Sequence, residues 1–296
     1  MPFNSENLSI FLTVIEKGSF SAAARSLHKV PSAVSMAIAN LEAELGFLLF
    51  ERHTREPKPT EKALALVPYA RNIVDNLWQL NIFSRELTEG VESTLTIGVA
   101  EGINPNMLFE ALKIISQRYP LMHVELITAA QDDIFPLLHE HKIQLAMAFG
   151  GLSVNSQEQF YCIGYESLVA TISADHPSIA HKTGLFIEDL VQTRQIVISS
   201  FQRQLSDIRS VVATNFWRVG SFTMALGLVK AGMGWGNLPI SLIKDQLQSG
   251  ALKQLEFKNT PNGLELPIHI TCLKGQVLKR GAQELIELLK TNNSAR

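Results

Sequence analysis

The chain has 296 residues, of which 46% are hydrophobic, and a formal net charge of -2 at pH 7. This length favours more than one hydrophobic core, and the near-neutral charge excludes a protein that is cationic over its whole surface. Two cysteines, Cys162 and Cys272, lie too far apart for a disulfide framework or a metal-ligand spacing. Because the first residues lack a secretory pattern and no apolar run reaches membrane-spanning length, we expect a cytoplasmic protein without a membrane partner.

The first thirty residues predict two short helices. Asn4 or Ser5 can cap the first helix, which ends at Gly18 and carries apolar residues at helical spacing: Leu8, Phe11, Leu12 and Ile15. The stretch SFSAAARSL predicts the second helix, and its three alanines allow another helix to cross close by.

A third helix is predicted from Pro31 to Leu45, because proline suits a first helical position. Its apolar stripe comprises Val34, Ile38, Leu41 and Leu45, which leaves small residues on the outer face. Two helices joined by a tight turn, the second with small outer residues, indicate a helix-turn-helix that enters the major groove. A three-helix bundle that does not bind DNA would give the same stripes. The DNA contacts expected here are Lys29, Pro31, Ser32, Ser35 and Met36.

The stretch GFLLFERHTREPKPTEK predicts a strand followed by a basic loop, which is typical of a wing that touches phosphates. The candidate phosphate contacts are Arg52, His53, Arg55 and Lys58. Residues 1–60 hold six Lys or Arg and six Asp or Glu, so only the clustering of the basic residues favours DNA. A solvated charged loop is the alternative interpretation.

Several of these elements together resemble the winged helix-turn-helix of LysR-type transcriptional regulators: GSFSAAARSL, SAVS followed by LE and LG, and LF with two arginines. The resemblance implies an N-terminal α winged helix-turn-helix over residues 1–60 that binds double-stranded operator DNA with dyad symmetry. The chain departs from the family at Val30-Pro31 and at Met36, Ala37 and Ala39, where polar residues are common. We therefore expect it to read thymine methyl groups and DNA shape.

From Thr60 to about Glu89 the apolar spacing predicts one long linker helix, assigned here to residues 61–90. Its apolar stripe must be buried, and the same helix of a second copy is the natural partner. The family resemblance implies a homodimer or a homotetramer. The alternative is a helix that packs on its own chain.

Residues 91–296 predict an α/β domain with a mainly parallel sheet, because strands alternate with helices. The predicted strands are 94–100, 123–129, 144–149, 168–173, 211–219 and 266–273, and a Gly-rich helix is predicted over 221–239. The order suggests two subdomains joined by two crossovers with a cleft between them. Subdomain I is assigned to about 91–162 and 267–296, and subdomain II to about 163–266.

The stretch LVKAGMGWGNLP resembles the effector domain of the LysR family, which is similar to periplasmic solute-binding proteins. The resemblance implies a small-molecule effector in the cleft, where strand ends and helix starts meet. The candidate contacts are Ala100, Glu101, Gln131, Phe149, Ser199, Ser200, Phe201 and Thr223. For each of them a capping or turn role is the alternative. Glu101 would disfavour a small anion in the cleft, unless it is simply a solvated surface residue.

The sequence contains no Gly-rich phosphate loop, G-x-S-x-G elbow or H-E-x-x-H motif. His139 and His141 are two positions apart and should point to different, solvent-facing sides of a helix. We therefore expect no enzyme, no cofactor and no metal site. Cys162 and Cys272 are expected to be packing residues, with a redox role as the alternative. The leading interpretation is an effector-modulated regulator of LysR type; the alternatives are a cytoplasmic solute-binding protein and an enzyme.

Overall fold

The computed structural model describes residues 4–51, 57–150, 155–177, 184–200 and 211–293. The contacts divide the chain into two compact units, Met1–Thr88 and Glu89–Arg296. In the described part of the chain, no helix is both long and apolar enough to cross a membrane.

The first unit begins with three helices: α1 Ser5–Lys17, α2 Phe20–Ser26 and α3 Pro31–Leu45. The Asn4 side chain caps α1 by accepting a hydrogen bond from the backbone N–H of Glu6, and Gly18 ends the helix in the left-handed conformation. The Ser19 side chain caps α2 in the same way. Each of these caps acts within its own helix. The predicted start of α3 at Pro31 and its predicted end at Leu45 are confirmed.

The three helices bury one core with the start of a fourth helix. Its buried members include the predicted stripe residues Leu8, Phe11, Val34, Ile38 and Leu41. The alanine-rich second helix buries both Ala23 and Ala24, which lets the helices approach closely. Ala37, one of the positions where the chain departs from the family pattern, is also buried and belongs to the core. It lies one residue before Ile38 and falls on the core side of α3.

The wing is anchored to α3. Phe50 and Pro59 form an antiparallel bridge, and the backbone N–H of Glu51 donates to the carbonyl of Lys58 at 2.9 Å. The carboxylate of Glu42 on α3 accepts hydrogen bonds from the backbone N–H groups of Leu49 (2.7 Å) and Phe50 (3.2 Å). Glu42 thus holds the first strand of the wing against the helix that precedes it.

The long helix α4 spans Glu61–Thr88 and continues through Pro68. The Thr60 hydroxyl accepts from the backbone N–H of Ala63 at the start of the helix. Only Ala63, Ala70 and Glu86 are buried along its length within the described residues. Eight large apolar side chains are exposed: Leu64, Tyr69, Ile73, Leu77, Trp78, Leu80, Phe83 and Leu87.

The second unit is a mixed α/β domain. Its first strands and helices are β1 Thr94–Ala100, α5 Asn106–Arg118, β2 His123–Ala129, α6 Gln131–His139 and β3 Leu145–Phe149. Next come β4 Glu158–Ser173, a 3-10 helix at Ile187–Leu190, β5 Gln195–Ile198, β6 Phe216–Val219 and α7 Phe222–Lys230. The last elements are β7 Trp235–Pro239, α8 Ile240–Gln248, β8 Leu252–Gln254, β9 Leu264–Leu273 and α9 Arg280–Asn293.

The strands form one sheet in the order β2-β1-β3-β9-β4-β7-β5-β6, with β8 also paired to β4. β1 pairs in parallel with β2 and β3, and β5 with β6 and β7. β9 runs antiparallel to β3 and β4, and β4 is antiparallel to β7 and β8. The prediction of a mainly parallel sheet is therefore wrong. The chain crosses from one half of the sheet to the other along β4 and crosses back along β9. These two neighbouring strands therefore run in opposite directions.

Separate hydrophobic clusters lie in the two halves of this sheet. One gathers β1, β3, α5, α6 and α9, and the others gather the second half around β5, β7, α7 and α8. We call these the first half and the second half of the unit; the predicted subdomain boundaries stay predictions.

The prediction of one Gly-rich helix over 221–239 is wrong, because α7 ends at Lys230 and β7 begins at Trp235. Gly232 adopts a left-handed conformation between them, and Trp235 is buried. β4 also begins ten residues before its predicted start at 168.

Candidate functional site

The outer face of α3 is the first candidate site. Pro31, Ser32, Ser35 and Met36 are all exposed, and Met36 is 63% exposed. An apolar side chain so open to solvent on a short helix suits contact with thymine methyl groups. The sequence reasoning missed Asn40, which is also exposed one turn after Met36 and could donate and accept at a base edge. The sequence does place Asn40 four residues after Met36, and this spacing predicts that both side chains lie on the same face of the helix.

The cationic candidates around this face differ in their surroundings. Lys29 forms an ion pair with Glu6, with Nζ and Oε1 2.7 Å apart. The hydrogen bond from Lys29 holds the pKa of the Glu6 carboxyl below its ordinary value. Such an exposed pair contributes little to stability, so Lys29 can exchange Glu6 for a phosphate. Lys58 is exposed at the base of the wing. Arg52, His53 and Arg55 lie outside the described residues.

The second candidate site is the cleft between the two halves of the second unit. The side chain of Gln131, at the start of α6, is bound on both sides by the backbone of Phe149. Its Nε2 donates to the Phe149 carbonyl at 2.9 Å, and its Oε1 accepts from the Phe149 N–H at 3.0 Å. Ala100 and Phe149 are themselves buried. The described contacts of Gln131 are thus with the protein backbone, and its predicted effector contact stays a prediction.

Among the described residues, two hydrogen bonds cross the cleft. The hydroxyl of Ser200, after β5, donates to Oδ1 of Asp133 on α6 at 2.7 Å. The backbone N–H of Phe222, the first residue of α7, donates to Oε2 of Glu101 after β1 at 3.4 Å. Glu101 therefore is not simply a solvated residue, because its carboxylate faces the positive end of α7. These two contacts link the first half to the second half across the cleft.

The remaining predicted contacts in the second half divide into buried and exposed groups. Ser199 is buried and its hydroxyl accepts from Nε of Arg218 at 2.9 Å, while Nη2 of Arg218 donates to the carbonyl of Ser200. Thr223 is exposed in the first turn of α7, where Ser221 already serves as the cap. Phe201 lies outside the described residues. Thr223 is thus the candidate on this side with an exposed side chain.

Gly102 packs closely against Phe222 across the cleft. Gly102 has a φ of 86°, and a side chain there would collide with the ring of Phe222. We expect Gly102→Ala to destabilise the protein by about 1–3 kcal/mol, because alanine is strained at positive φ and must also displace the ring. The measurement is the free energy of unfolding in urea.

Gly250→Ala is the matched control for this prediction, since Gly250 has a φ of 73° and a side chain there meets nothing within 4 Å. It carries the backbone strain without the collision. Equal destabilisation by both substitutions would contradict close packing of Phe222 on Gly102.

A cavity of about 270 Å³ lies next to this contact, within the second half of the unit. Phe222 forms part of its wall, together with side chains from β4, β5, β7 and the 3-10 helix. Its apolar lining includes Ile187, Leu190, Ile198, Val212, Trp235 and Phe257. The sequence reasoning missed this cavity, because its wall is assembled from segments that are far apart in the chain.

The other titratable candidates are accounted for by structural contacts. Nε2 of His139 lies 2.8 Å from Oε1 of Glu158, and the His139 side chain is half-buried, so it is only partly open to solvent. Burial raises the pKa of the Cys272 thiol, which disfavours the reactive thiolate. In the described ranges, no group of three or more His, Cys, Asp or Glu residues is placed to hold a metal ion.

An exposed helix-turn-helix face with a wing, followed by an α/β domain with two halves and a cleft between them, defines the class of DNA-binding regulators that carry a ligand-binding domain. Two family descriptions match the chain: "Bacterial regulatory helix-turn-helix protein, lysR family" over residues 5–64 and "LysR substrate binding domain" over residues 88–294. This chain belongs to the LysR family of transcriptional regulators. The family resemblance seen in the motifs is therefore confirmed.

Named relatives match nearly all of the chain. The HTH-type transcriptional regulator AceR of Acinetobacter baumannii is 33% identical over 292 residues, which cover 98% of this chain and 97% of AceR. The multiple virulence factor regulator MvfR of Pseudomonas aeruginosa is 27% identical, with 91% of this chain and 81% of MvfR covered. Both relatives are named as regulators.

Solved structures of the family share the fold. A point mutant of full-length BenM is 24% identical with a TM-score of 0.52, and 99% of this chain and 97% of BenM are covered. Full-length LysG of Corynebacterium glutamicum, solved with bound effector Arg, is 18% identical with a TM-score of 0.52, and 98% of each chain is covered. At these identities the likeness establishes the fold alone.

Proposed function

We propose that this protein binds a dyad-symmetric operator as a homo-oligomer and that a small molecule, bound at the cleft, changes its operator binding or activation. The observation that carries the DNA-binding part is the exposed outer face of α3, with Ser32, Ser35 and Met36 clear of the core. The proposed base contacts are this face and Asn40, and the proposed phosphate contacts are Lys29, Arg52, His53, Arg55 and Lys58. The protein acts in the cytoplasm and is not an enzyme.

The exposed side of α4 supports the homo-oligomer. Ile73, Leu77, Leu80 and Leu87 follow the i, i+4, i+7 and i+14 spacing of a helix-pairing seam, and all four are exposed. Burial of such side chains stabilises association by roughly 25 cal/mol per Å² of apolar surface. The same helix of a second copy supplies a matching seam, because closed symmetric dimers are the common arrangement.

The two hydrogen bonds across the cleft support the effector part of the proposal. A ligand that replaces the Ser200–Asp133 hydrogen bond, or that moves Phe222 from Glu101, would change how the two halves meet. LysG, which has the same fold, is solved with a bound effector, and this favours an effector site in the present chain as well. Thr223, with its exposed side chain, is the proposed polar contact on the second half.

The test is fluorescence anisotropy of the full chain on the DNA upstream of its own gene, compared with scrambled DNA, across a salt series. We expect tighter binding to the upstream DNA and a negative slope of about 0.9 in log K against log salt for each phosphate contact. Failure to bind either DNA at low salt would overturn the proposed function.

A further inference from the structure

We infer that the cavity in the second half of the unit binds a neutral, mainly apolar group of the effector. Binding there would change how Phe222 packs against the first half. The inference rests on the proposed function, because it assigns a chemical class to the effector of that regulator.

The volume of the cavity sets the size of the group. At about 270 Å³ the cavity is nearly twice the roughly 150 Å³ apolar cavity that accommodates benzene. A group of about a dozen non-hydrogen atoms, such as a two-ring aromatic system, therefore fits. The wall comes from strands β4, β5 and β7 and is mostly aliphatic or aromatic, as in pockets for small organic ligands.

The lining indicates a neutral group. None of the described lining residues is charged. A carboxylate or ammonium in this cavity would lose its hydration without gaining a counter-charge, which is strongly unfavourable. Among the described residues, the polar side chains in the wall are Gln195, Asn237, Thr260 and Asn262.

Two of these polar groups serve the fold. Oε1 of Gln195 accepts from the backbone N–H groups of Val212 and Ala213, at 2.8 and 3.2 Å. Asn262 accepts from the N–H of Ala170 and donates to the carbonyls of Ala170 and Leu255, at 2.7–2.9 Å. Asn262 thereby fixes one wall of the cavity onto β4, so the cavity is preformed.

Asn237 is different, because its side chain makes no hydrogen bond among the described residues that line or surround the cavity. Its amide can both donate and accept. A single hydroxyl or amide on the ligand would satisfy it, whereas a ligand without such a group would leave the Asn237 amide unpaired in the wall of the cavity. The expected ligand group is thus an apolar ring system with one neutral polar substituent.

Phe222 connects the cavity to the cleft. Its side chain lines the cavity, its ring packs against Gly102 of the first half, and its backbone N–H faces Glu101. A group that fills the cavity contacts Phe222 and thereby changes the packing of its ring on Gly102. A ligand in the cavity would therefore favour one arrangement of the two halves, because it binds the two arrangements with different affinity.

The test uses 2-naphthol as a neutral two-ring probe and 2-naphthoate as its anionic counterpart, titrated into the full chain by isothermal calorimetry. We expect 2-naphthol to bind with a Kd of about 10–100 μM, and 2-naphthoate to bind at least about tenfold more weakly. Equal affinity for the two probes, or no binding of 2-naphthol, would overturn the neutral class assigned to the cavity.

Cavity-filling variants locate the probe. Ala170→Leu and Leu190→Trp both enlarge lining residues, and each should weaken 2-naphthol binding by at least about tenfold while the unfolding midpoint confirms a folded protein. Ala251→Leu adds the same atoms as the first variant at an exposed position outside the cavity, and should bind like the native chain. Undiminished binding by either folded lining variant would overturn the location.

Operator anisotropy separates this inference from the proposed function. We expect saturating 2-naphthol to change the operator Kd at least about threefold in the native chain and not in Ala170→Leu, since coupling between sites is reciprocal. If the protein binds the operator specifically but the bound probe does not change the operator Kd, only the coupling through Phe222 is overturned. Loss of operator binding in the absence of any probe would instead overturn the proposed function.

Discussion

Ser35→Glu should weaken operator binding by at least about a hundredfold while leaving the fold intact. Ser35 is exposed on the outer face of α3, beside Met36 and away from the buried stripe. A carboxylate at this position would enter a groove bordered by phosphates and lined largely by acceptor groups, where it is repelled and cannot be solvated. Anisotropy on the upstream DNA at fixed salt measures the loss.

Ser116→Glu is the control for this experiment. Ser116 is exposed on α5 in the second unit, so the substitution changes the total charge by the same amount outside the proposed DNA-binding unit. We expect it to alter operator affinity by less than about threefold, because an exposed charge that makes no contact with the DNA is screened by salt. If both variants lose affinity equally, the outer face of α3 is not the DNA-binding surface.

Leu80→Asp should convert the protein from an oligomer into a monomer at micromolar concentration. Leu80 is 59% exposed and lies in the middle of the seam formed with Ile73, Leu77 and Leu87. A carboxylate buried between two copies of this seam would be desolvated without a partner, a cost of several kcal/mol. Sedimentation equilibrium gives the mass directly, and the variant should also lose the affinity that two linked heads gain on a dyad-symmetric operator.

Gln79→Asp adds the same charge one residue earlier on α4, where the native residue is already polar and exposed. It should sediment as the native protein does. An unchanged mass for Leu80→Asp, or a monomeric native chain, would show that α4 does not pair with its copy and that its apolar residues are covered in another way.

The cleft and the cavity offer an effector different opportunities. Ser199, Ser200 and Gln131 are occupied by Arg218, Asp133 and the backbone of Phe149, so a polar ligand in the cleft must displace internal hydrogen bonds. A small anion meets the additional obstacle that Glu101 already faces the start of α7. The cavity requires no such exchange, and this favours an effector whose binding energy comes mainly from apolar contact.

Local signals in the sequence were sufficient for the helices of the first unit. Asn4, Gly18 and Pro31 act through their own backbone or side-chain geometry, so the bounds they predict agree with the structure. The strands 94–100 and 123–129 were also predicted from sequence, because a continuous run of β-forming residues needs little further context. The family resemblance came from motifs of the same local kind.

The tertiary structure decided what depends on distant partners. Trp235–Pro239 is a strand because it pairs with β4 and β5, although its sequence continues a helical pattern past Gly232. Ser199 and Ser200 look like open strand-end residues in the sequence, and only the approach of Arg218 and Asp133 buries and binds them. The cavity beside Phe222 likewise exists only where β4, β5, β7 and a later loop converge. Such features follow from long-range packing, whose geometry the periodicity of a single segment does not contain.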